Sequence, residues 1–114
     1  MLGIITIAEK PREPRIYTLE EYLRREERAV EKHEFFDGKI IKMAGAKFNH
    51  NVISANVISA LKVQVRPLPK KYQVCTSDQK IYIEPVNFGV YPDALVICEI
   101  PQYWGKREDL LVNP

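Results

Sequence analysis

Four residues of this 114-residue chain have side chains that could carry chemistry together: Glu34, His50, Asp78 and Asp93. Asp78 and Asp93 fall on predicted strands. Glu34 lies on a predicted hairpin, and His50 lies at the start of a predicted helix. Carboxylates on neighbouring strands suit Mg²⁺, which takes one or two of them and leaves its other positions to water and phosphate oxygens. The sequence has no glycine-rich phosphate loop, no cysteine–histidine zinc spacing and no nucleophile elbow, which excludes several large enzyme classes. Hydrolysis of phosphodiesters fits the chemistry of the carboxylates that remain.

Asp93 stands near the start of a nearly unbroken apolar run, residues 90–98. Such a run is typical of a strand buried on both faces in the middle of a sheet, where a carboxylate is costly unless something compensates it. A metal ion is one such compensation. Pro92 lacks an N–H and favours the entrance of a strand, so Asp93 should lie at the mouth of the sheet. The alternative is that Asp93 caps a turn or pairs with a lysine.

A core helix is predicted after Asn49, which is a good N-cap residue, and Pro67 and Pro69 should end it. Its apolar residues recur at helical spacing: Val52, Ile53, Val57, Ala60, Leu61 and Val65. His50 falls in the first turn of this helix. A lone histidine there is more often a surface or locally hydrogen-bonded residue than a ligand, so we favour that interpretation of His50.

An earlier helix is predicted to begin at Thr18, because its hydroxyl can accept from the N–H of Glu21 while the Glu21 side chain returns to the Thr18 N–H. This helix should end near Ala29. Its apolar face is predicted to comprise Leu19, Tyr22, Leu23 and Val30.

A β-hairpin should follow, turning at Asp37-Gly38, the dipeptide that type I′ turns prefer. Two further strand segments, residues 72–75 and 81–83, flank Asp78. The polar segment 102–109 then separates the apolar run from residues 110–114, which look like the approach to another strand.

The composition, with 46% hydrophobic residues, indicates one globular domain with a modest core. Residues 1–15 should form a flexible N-terminal arm ahead of a domain at residues 16–114. The net charge of +2 permits a nucleic-acid partner without requiring one. No window approaches the length of a membrane span, and we expect a soluble, cytoplasmic protein. Cys75 and Cys98 should be buried, reduced thiols.

Seven short motifs occur in a particular order over about residues 16–114. They are Tyr17-Thr18-Leu19-Glu20-Glu21-Tyr22-Leu23, Glu34-Phe35-Phe36-Asp37-Gly38-Lys39-Ile40, Met43-Ala44-Gly45-Ala46, Asn49-His50-Asn51, Ser77-Asp78, Tyr91-Pro92-Asp93 and Asn113-Pro114. This succession resembles the Uma-type restriction endonucleases, and the set is far more specific than any single motif.

The resemblance implies an α/β (α+β) fold of the PD-(D/E)XK nuclease superfamily, with a mixed β-sheet flanked by helices. It implies that Asp93 is the aspartate of the Pro-Asp motif, a metal ligand and a catalytic residue. Glu34, His50 and Asp78 match motif positions near the implied site, without assigned ligand roles.

The chain departs from that pattern at its end. In the family, the next strand supplies a second acidic ligand and a nearby lysine, and it begins just after the closing Asn113-Pro114. The resemblance therefore implies a C-terminally truncated domain, either a fragment or an inactive shortened form. Asp93 alone should bind Mg²⁺ weakly, because activating water and stabilising charge need several groups held together.

Three hypotheses about function follow. The first is a Mg²⁺-dependent endonuclease, or part of one, whose phosphate contacts are Lys62, Arg66, Lys70 and Lys71. The second is a non-catalytic module that retains the fold and binds nucleic acid or protein. The third is a structural domain with neither activity. Losing the neighbour of strand 90–98 would also expose an apolar edge, so we expect a homo-oligomer or a swapped dimer in which another copy covers that edge.

Overall fold

The computed structural model describes residues 15–114, so the predicted arm at residues 1–15 lies outside the described residues except for Arg15. Two α-helices, one short 3₁₀ helix (Glu84–Val86) and eight strands make up the described part. The α-helices are α1 (Leu19–Arg28) and α2 (Phe48–Val65). The strands are β1 (His33–Phe36), β2 (Lys39–Lys42), β3 (Tyr72–Thr76), β4 (Lys80–Ile83), β5 (Phe88–Val90), β6 (Ala94–Cys98), β7 (Tyr103–Trp104) and β8 (Arg107–Leu111).

Helix α1 begins with the predicted capping box. The Thr18 hydroxyl accepts from the Glu21 N–H at 3.1 Å, and the Thr18 N–H donates to the Glu21 carboxylate at 3.0 Å. The hydrogen bonds from Thr18 and Arg15 hold the pKa of Glu21 below its usual value. The prediction of where this helix starts is confirmed.

The buried face of α1 is shorter than predicted. Leu19, Tyr22 and Leu23 are buried, whereas Val30 is fully exposed. The chain turns to an extended conformation at the C-cap, Ala29, so Val30 no longer follows the helical face. Its predicted place on that face is therefore wrong.

The hairpin turns where the sequence predicts. Strands β1 and β2 pair antiparallel, and both turn residues have positive φ, 47° at Asp37 and 98° at Gly38, as a type I′ turn requires. The Tyr17 N–H donates to the Gly38 carbonyl at 2.9 Å. This bond ties the segment before α1 to the hairpin.

Helix α2 differs from the prediction in two respects. It begins at Phe48, and its N-cap is Lys47 rather than Asn49. It contacts β3 and β6, yet none of its side chains is buried, so the prediction of a core helix is wrong. Two strands span about 10 Å, no wider than one helix, and cannot enclose it.

The strands form two sheets. The larger has the order β2-β1-β5-β4-β8-β7; β4 and β8 are parallel, and its other pairings are antiparallel. The smaller is a two-stranded antiparallel sheet of β3 and β6, which we call the ribbon. Mixed strand pairing with two helices confirms the predicted mixed α/β (α+β) fold.

The apolar run 90–98 is not one central strand. Val90 ends β5 in the large sheet, residues 91–93 cross over, and β6 belongs to the ribbon. In β6 only Leu95 and Ile97 are buried, which is the alternation of a strand covered on one face. The prediction of a strand buried on both faces is wrong, because Pro92 interrupts the run.

The C-terminal strands also differ from prediction. The polar segment 102–109 forms β7 and the first part of β8, which turn at Gly105 with φ 59°. Leu110 and Leu111 are already part of β8 and are buried, so they are not the approach to a later strand. Cys98 is exposed at the end of β6, contrary to expectation, and both cysteines are free thiols.

Two apolar clusters hold these elements together. One joins α1 to the large sheet through Leu19, Tyr22, Leu23, Phe35, Tyr82 and Leu110. The other joins the ribbon to β4 and β8 through Ile81, Leu95, Ile97 and Leu111. The ribbon is therefore anchored by one face of β6. No helix within residues 15–114 is long and apolar enough to cross a membrane.

Candidate functional site

Asp93 and His50 meet where the ribbon adjoins the start of α2. Asp93 comes immediately before β6, as Pro92 predicted, and His50 is in the first turn of α2. The His50 Nε2 lies 3.2 Å from the Asp93 Oδ1. Both side chains stay accessible, with exposed fractions of 48% and 58%. The sequence favoured a surface or local role for His50 and did not predict this long-range contact.

An open cleft of about 980 Å³ lies beside this pair. It is lined by the segment between β2 and α2, the first turns of α2, the end of β3 and Asp93. Its charged lining consists of three lysines, Lys32, Lys42 and Lys47, and two carboxylates, Glu31 and Asp93. The cleft is therefore mildly basic, which suits an anionic ligand.

The three lysines have different partners. Lys32 Nζ lies 2.5 Å from Asp78 Oδ1 and donates to the Ser77 carbonyl at 3.0 Å. Lys42 Nζ lies 2.7 Å from Glu31 Oε2. Within residues 15–114, no carboxylate lies in ion-pair distance of Lys47. Lys47 is thus the cleft lysine that is available to a ligand.

Asp78 does not join Asp93. It follows the end of β3, is well exposed and is held by Lys32, while the neighbouring Thr76 and Ser77 line the cleft. In this structure Asp78 therefore contacts the cleft residue Lys32 and not Asp93.

Glu34 has a positioning contact. Its Oε2 accepts a hydrogen bond from the Tyr91 N–H at 3.2 Å. Tyr91 stands two residues before Asp93, so Glu34 fixes the backbone that carries the candidate ligand.

A buried hydrogen-bond cluster anchors Tyr91 from its other end. The Tyr91 hydroxyl donates to Glu26 Oε2 at 2.6 Å, and the same oxygen accepts from the His33 N–H at 2.8 Å. The other oxygen of Glu26 lies 3.0 Å from His33 Nδ1. Burial, together with this carboxylate, raises the pKa of Tyr91 well above its usual value. The phenol therefore stays a neutral donor.

Lys80 lies under this cluster. Its side chain is almost fully buried, and Nζ lies 5.5 Å and 5.6 Å from the ring centroids of Tyr22 and Tyr91. Burial lowers its pKa, and Asp109, 3.9 Å away, opposes that shift. The rings give the ammonium a favourable surface, so the cation helps to hold Tyr91.

The predicted nucleic-acid contacts lie outside the cleft. Lys62 is near the end of α2, Arg66 is its C-cap, and Lys70 and Lys71 precede β3. None of the four lines the cleft. The sequence did not point to Lys47, because it is the N-cap of α2 and lies before the helix that was predicted to follow Asn49.

The donor atoms at Asp93 and His50 allow a divalent cation to bind. One carboxylate and several waters are sufficient for Mg²⁺, and an imidazole nitrogen is a common metal ligand. Within residues 15–114, no group of three or more His, Cys, Asp or Glu side chains could hold a metal. Asp93 and His50 are therefore the two donors that the described residues bring together beside the cleft.

Comparison with known proteins identifies the family. A sequence model described as "Putative restriction endonuclease" matches residues 19–113. The chain belongs to this family, Uma2. The match covers both helices, the hairpin, the ribbon and the Asp93–His50 pair, and it confirms the resemblance seen in the motifs.

Two uncharacterized proteins of Synechocystis sp. are similar to this Uma2 chain. One is 37% identical over 100 residues, which cover 88% of this chain and 55% of the relative. The other is 39% identical over 80 residues, covering 70% of this chain and 41% of the relative. The chain spans about half the length of these relatives. No solved structure matches it.

Proposed function

We propose that this Uma2 chain carries part of the site of a metal-dependent endonuclease that hydrolyses DNA phosphodiester bonds. The observation that carries the proposal is the contact of Asp93 with His50 beside a cleft lined by three lysines. The family, described as restriction endonucleases, supports DNA as the substrate.

Asp93 is the proposed metal ligand, with Mg²⁺ as the first candidate ion. A bound divalent cation would polarise the phosphate and lower the pKa of an attacking water. Lys47 would place a positive charge against the phosphate, where charge develops during hydrolysis. Glu34 and Tyr91 would keep the Asp93 backbone in place.

The basic residues at the far end of α2 would contact DNA outside the cleft. Twelve residues separate Lys62 from His50, which is about 18 Å along a helix. Contacts of this kind hold the duplex in position and carry no sequence information. Lys62, Arg66, Lys70 and Lys71 therefore remain the proposed contacts to the DNA backbone.

The chain alone should bind Mg²⁺ weakly. Asp93 is the one carboxylate at the contact with His50, and Glu34 and Asp78 are engaged elsewhere in the described residues. A second acidic ligand and a catalytic lysine, supplied from outside these residues, would tighten metal binding and raise the rate above the slow cleavage expected of this chain.

Cleavage of supercoiled plasmid by the purified chain in Mg²⁺ tests the function. We expect slow nicking by the wild type and at least about a hundredfold less by Asp93→Ala, since the lost group is a metal ligand. The control is Glu108→Ala, which removes an exposed carboxylate from β8 and should nick as the wild type does. Equal nicking by the Asp93→Ala variant and the wild type would contradict the role of Asp93 as a metal ligand.

A second candidate function is a non-catalytic DNA-binding module. The scarcity of metal donors in the described residues favours it. Salt-dependent DNA binding that survives Asp93→Ala, without cleavage, would support this candidate over the nuclease. A chain that neither cleaves nor binds DNA would be a structural domain.

We also propose that a second copy of the chain covers the free edge of β6. Among the described strands, β6 pairs with β3 alone, and residues 94–98 contain no charge or proline that would discourage further pairing. An antiparallel pairing of β6 with its own copy would be a closed two-fold contact.

A further inference from the structure

We infer that His50 and Asp93 are two ligands of one metal site, and that this site prefers a divalent transition-metal cation such as Mn²⁺ over Mg²⁺. The inference rests on the proposed role of Asp93 as a metal ligand. It adds a nitrogen ligand and a metal preference, and both can be measured by binding without any cleavage.

The separation of the two donor atoms is the first argument. Ligand atoms at about 2.1 Å from one cation lie about 3.0 Å apart in octahedral geometry and about 3.4 Å apart in tetrahedral geometry. His50 Nε2 and Asp93 Oδ1 are 3.2 Å apart, between these values. A cation can therefore bind both atoms with little movement of either side chain.

The other histidine of the chain, His33, forms a different kind of histidine–carboxylate pair, one that is enclosed by the fold. His33 Nδ1 lies 3.0 Å from a Glu26 carboxylate that is 6% exposed and also accepts from the Tyr91 hydroxyl and the His33 N–H. In the His50–Asp93 pair, by contrast, both side chains are about half exposed. Its open side leaves room for water or a phosphate oxygen on the cation.

The donor types decide which cation is preferred. Mg²⁺ takes oxygen ligands and dehydrates reluctantly, whereas imidazole nitrogen suits transition metals. A site with one imidazole and one carboxylate should therefore hold Mn²⁺ more tightly than Mg²⁺. Lys47 lines the same cleft and repels a free cation, but it attracts an anion, so metal and phosphate should bind better together than separately.

Titration of the purified chain with Mn²⁺, followed by the electron paramagnetic resonance signal of the free ion, tests this inference. We expect saturable binding, with Mg²⁺ displacing Mn²⁺ only at concentrations at least about tenfold higher than those of Mn²⁺. His50→Ala should weaken Mn²⁺ binding at least about tenfold, as Asp93→Ala should. Glu108→Ala should bind Mn²⁺ as the wild type does.

His50→Gln keeps the inference testable if the alanine variant folds poorly. An amide oxygen replaces the nitrogen, so the preference for Mn²⁺ over Mg²⁺ should shrink towards unity while circular dichroism stays that of the wild type. Wild-type Mn²⁺ affinity in both folded His50 variants overturns the inference, even where Asp93→Ala abolishes cleavage. A different outcome is also possible: the wild type binds metal through both His50 and Asp93 but does not cleave DNA. That result would reject the proposed nuclease and support the metal site.

Discussion

For the single residue Asp93, the sequence predicts its position at the start of a strand but not the side chain that it contacts. Pro92 restricts the backbone locally, so the sequence is sufficient to place Asp93 at the entrance of a strand. Its contact with His50 joins residues 43 positions apart, and no local pattern reports such a contact. The same holds for Glu34, whose bond to the Tyr91 N–H depends on the pairing of β1 with β5.

Tyr91→Phe should destabilise the fold. It removes the hydroxyl that donates to Glu26 at 2.6 Å and leaves a buried carboxylate with one partner fewer, which costs about 1–3 kcal/mol of the free energy of unfolding. Urea denaturation measures the change. Tyr103→Phe, at a half-exposed tyrosine of β7, is the control and should stay near the wild type. Indistinguishable midpoints for the two variants would mean that the Glu26 bond contributes nothing.

The helices and turns that were predicted correctly are those whose sequence signals lie in neighbouring residues. The capping box of α1 and the Asp-Gly turn of the hairpin each depend on neighbouring residues alone, and both are as predicted. For helix α2, local signals predict the helix but not its burial. Its apolar spacing predicts a helix but cannot say how wide a surface will cover it, and the ribbon is narrow.

Gly38→Ala should lower the melting temperature. Gly38 has φ 98°, and a Cβ there would lie 2.6 Å from the Cγ2 of Ile16, so strain of about 1–3 kcal/mol is expected. Gly45→Ala is the matched control, because an added Cβ at Gly45 meets nothing within 4 Å. Thermal unfolding followed by circular dichroism compares the two. A melting temperature for Gly38→Ala at or above that of Gly45→Ala would contradict this account of the turn.

At the scale of the whole molecule, the division into two sheets was not predictable. The large sheet is completed by the parallel pairing of β4 with β8, about 30 residues away. The chain between them forms β5 and β7 of the same sheet and β6 of the ribbon. Alternation along a strand indicates which face is buried but not which strand lies next to it. The ribbon therefore leaves one edge of β6 without a partner among the described residues.

Light scattering at micromolar concentration should report a dimer, with twice the 13.2 kDa mass of one chain. Cys98→Lys should shift the mass towards the monomer, because a lysine at the exposed end of β6 discourages edge pairing. Cys98→Ser, which adds no charge, should remain a dimer and also excludes a disulfide link. A monomeric wild type would remove the basis for this assembly.

The shallow packing of α2 should determine how often His50 and Asp93 are in contact. A helix with no buried side chain should open far more often than the body around Phe35 and Leu110, so its amide hydrogens should exchange with solvent well before those of β1 and β8. His50 belongs to this easily opened unit, and Asp93 belongs to the anchored ribbon. Any ligand that needs both would bind only the closed fraction, and its binding would in turn slow exchange along α2.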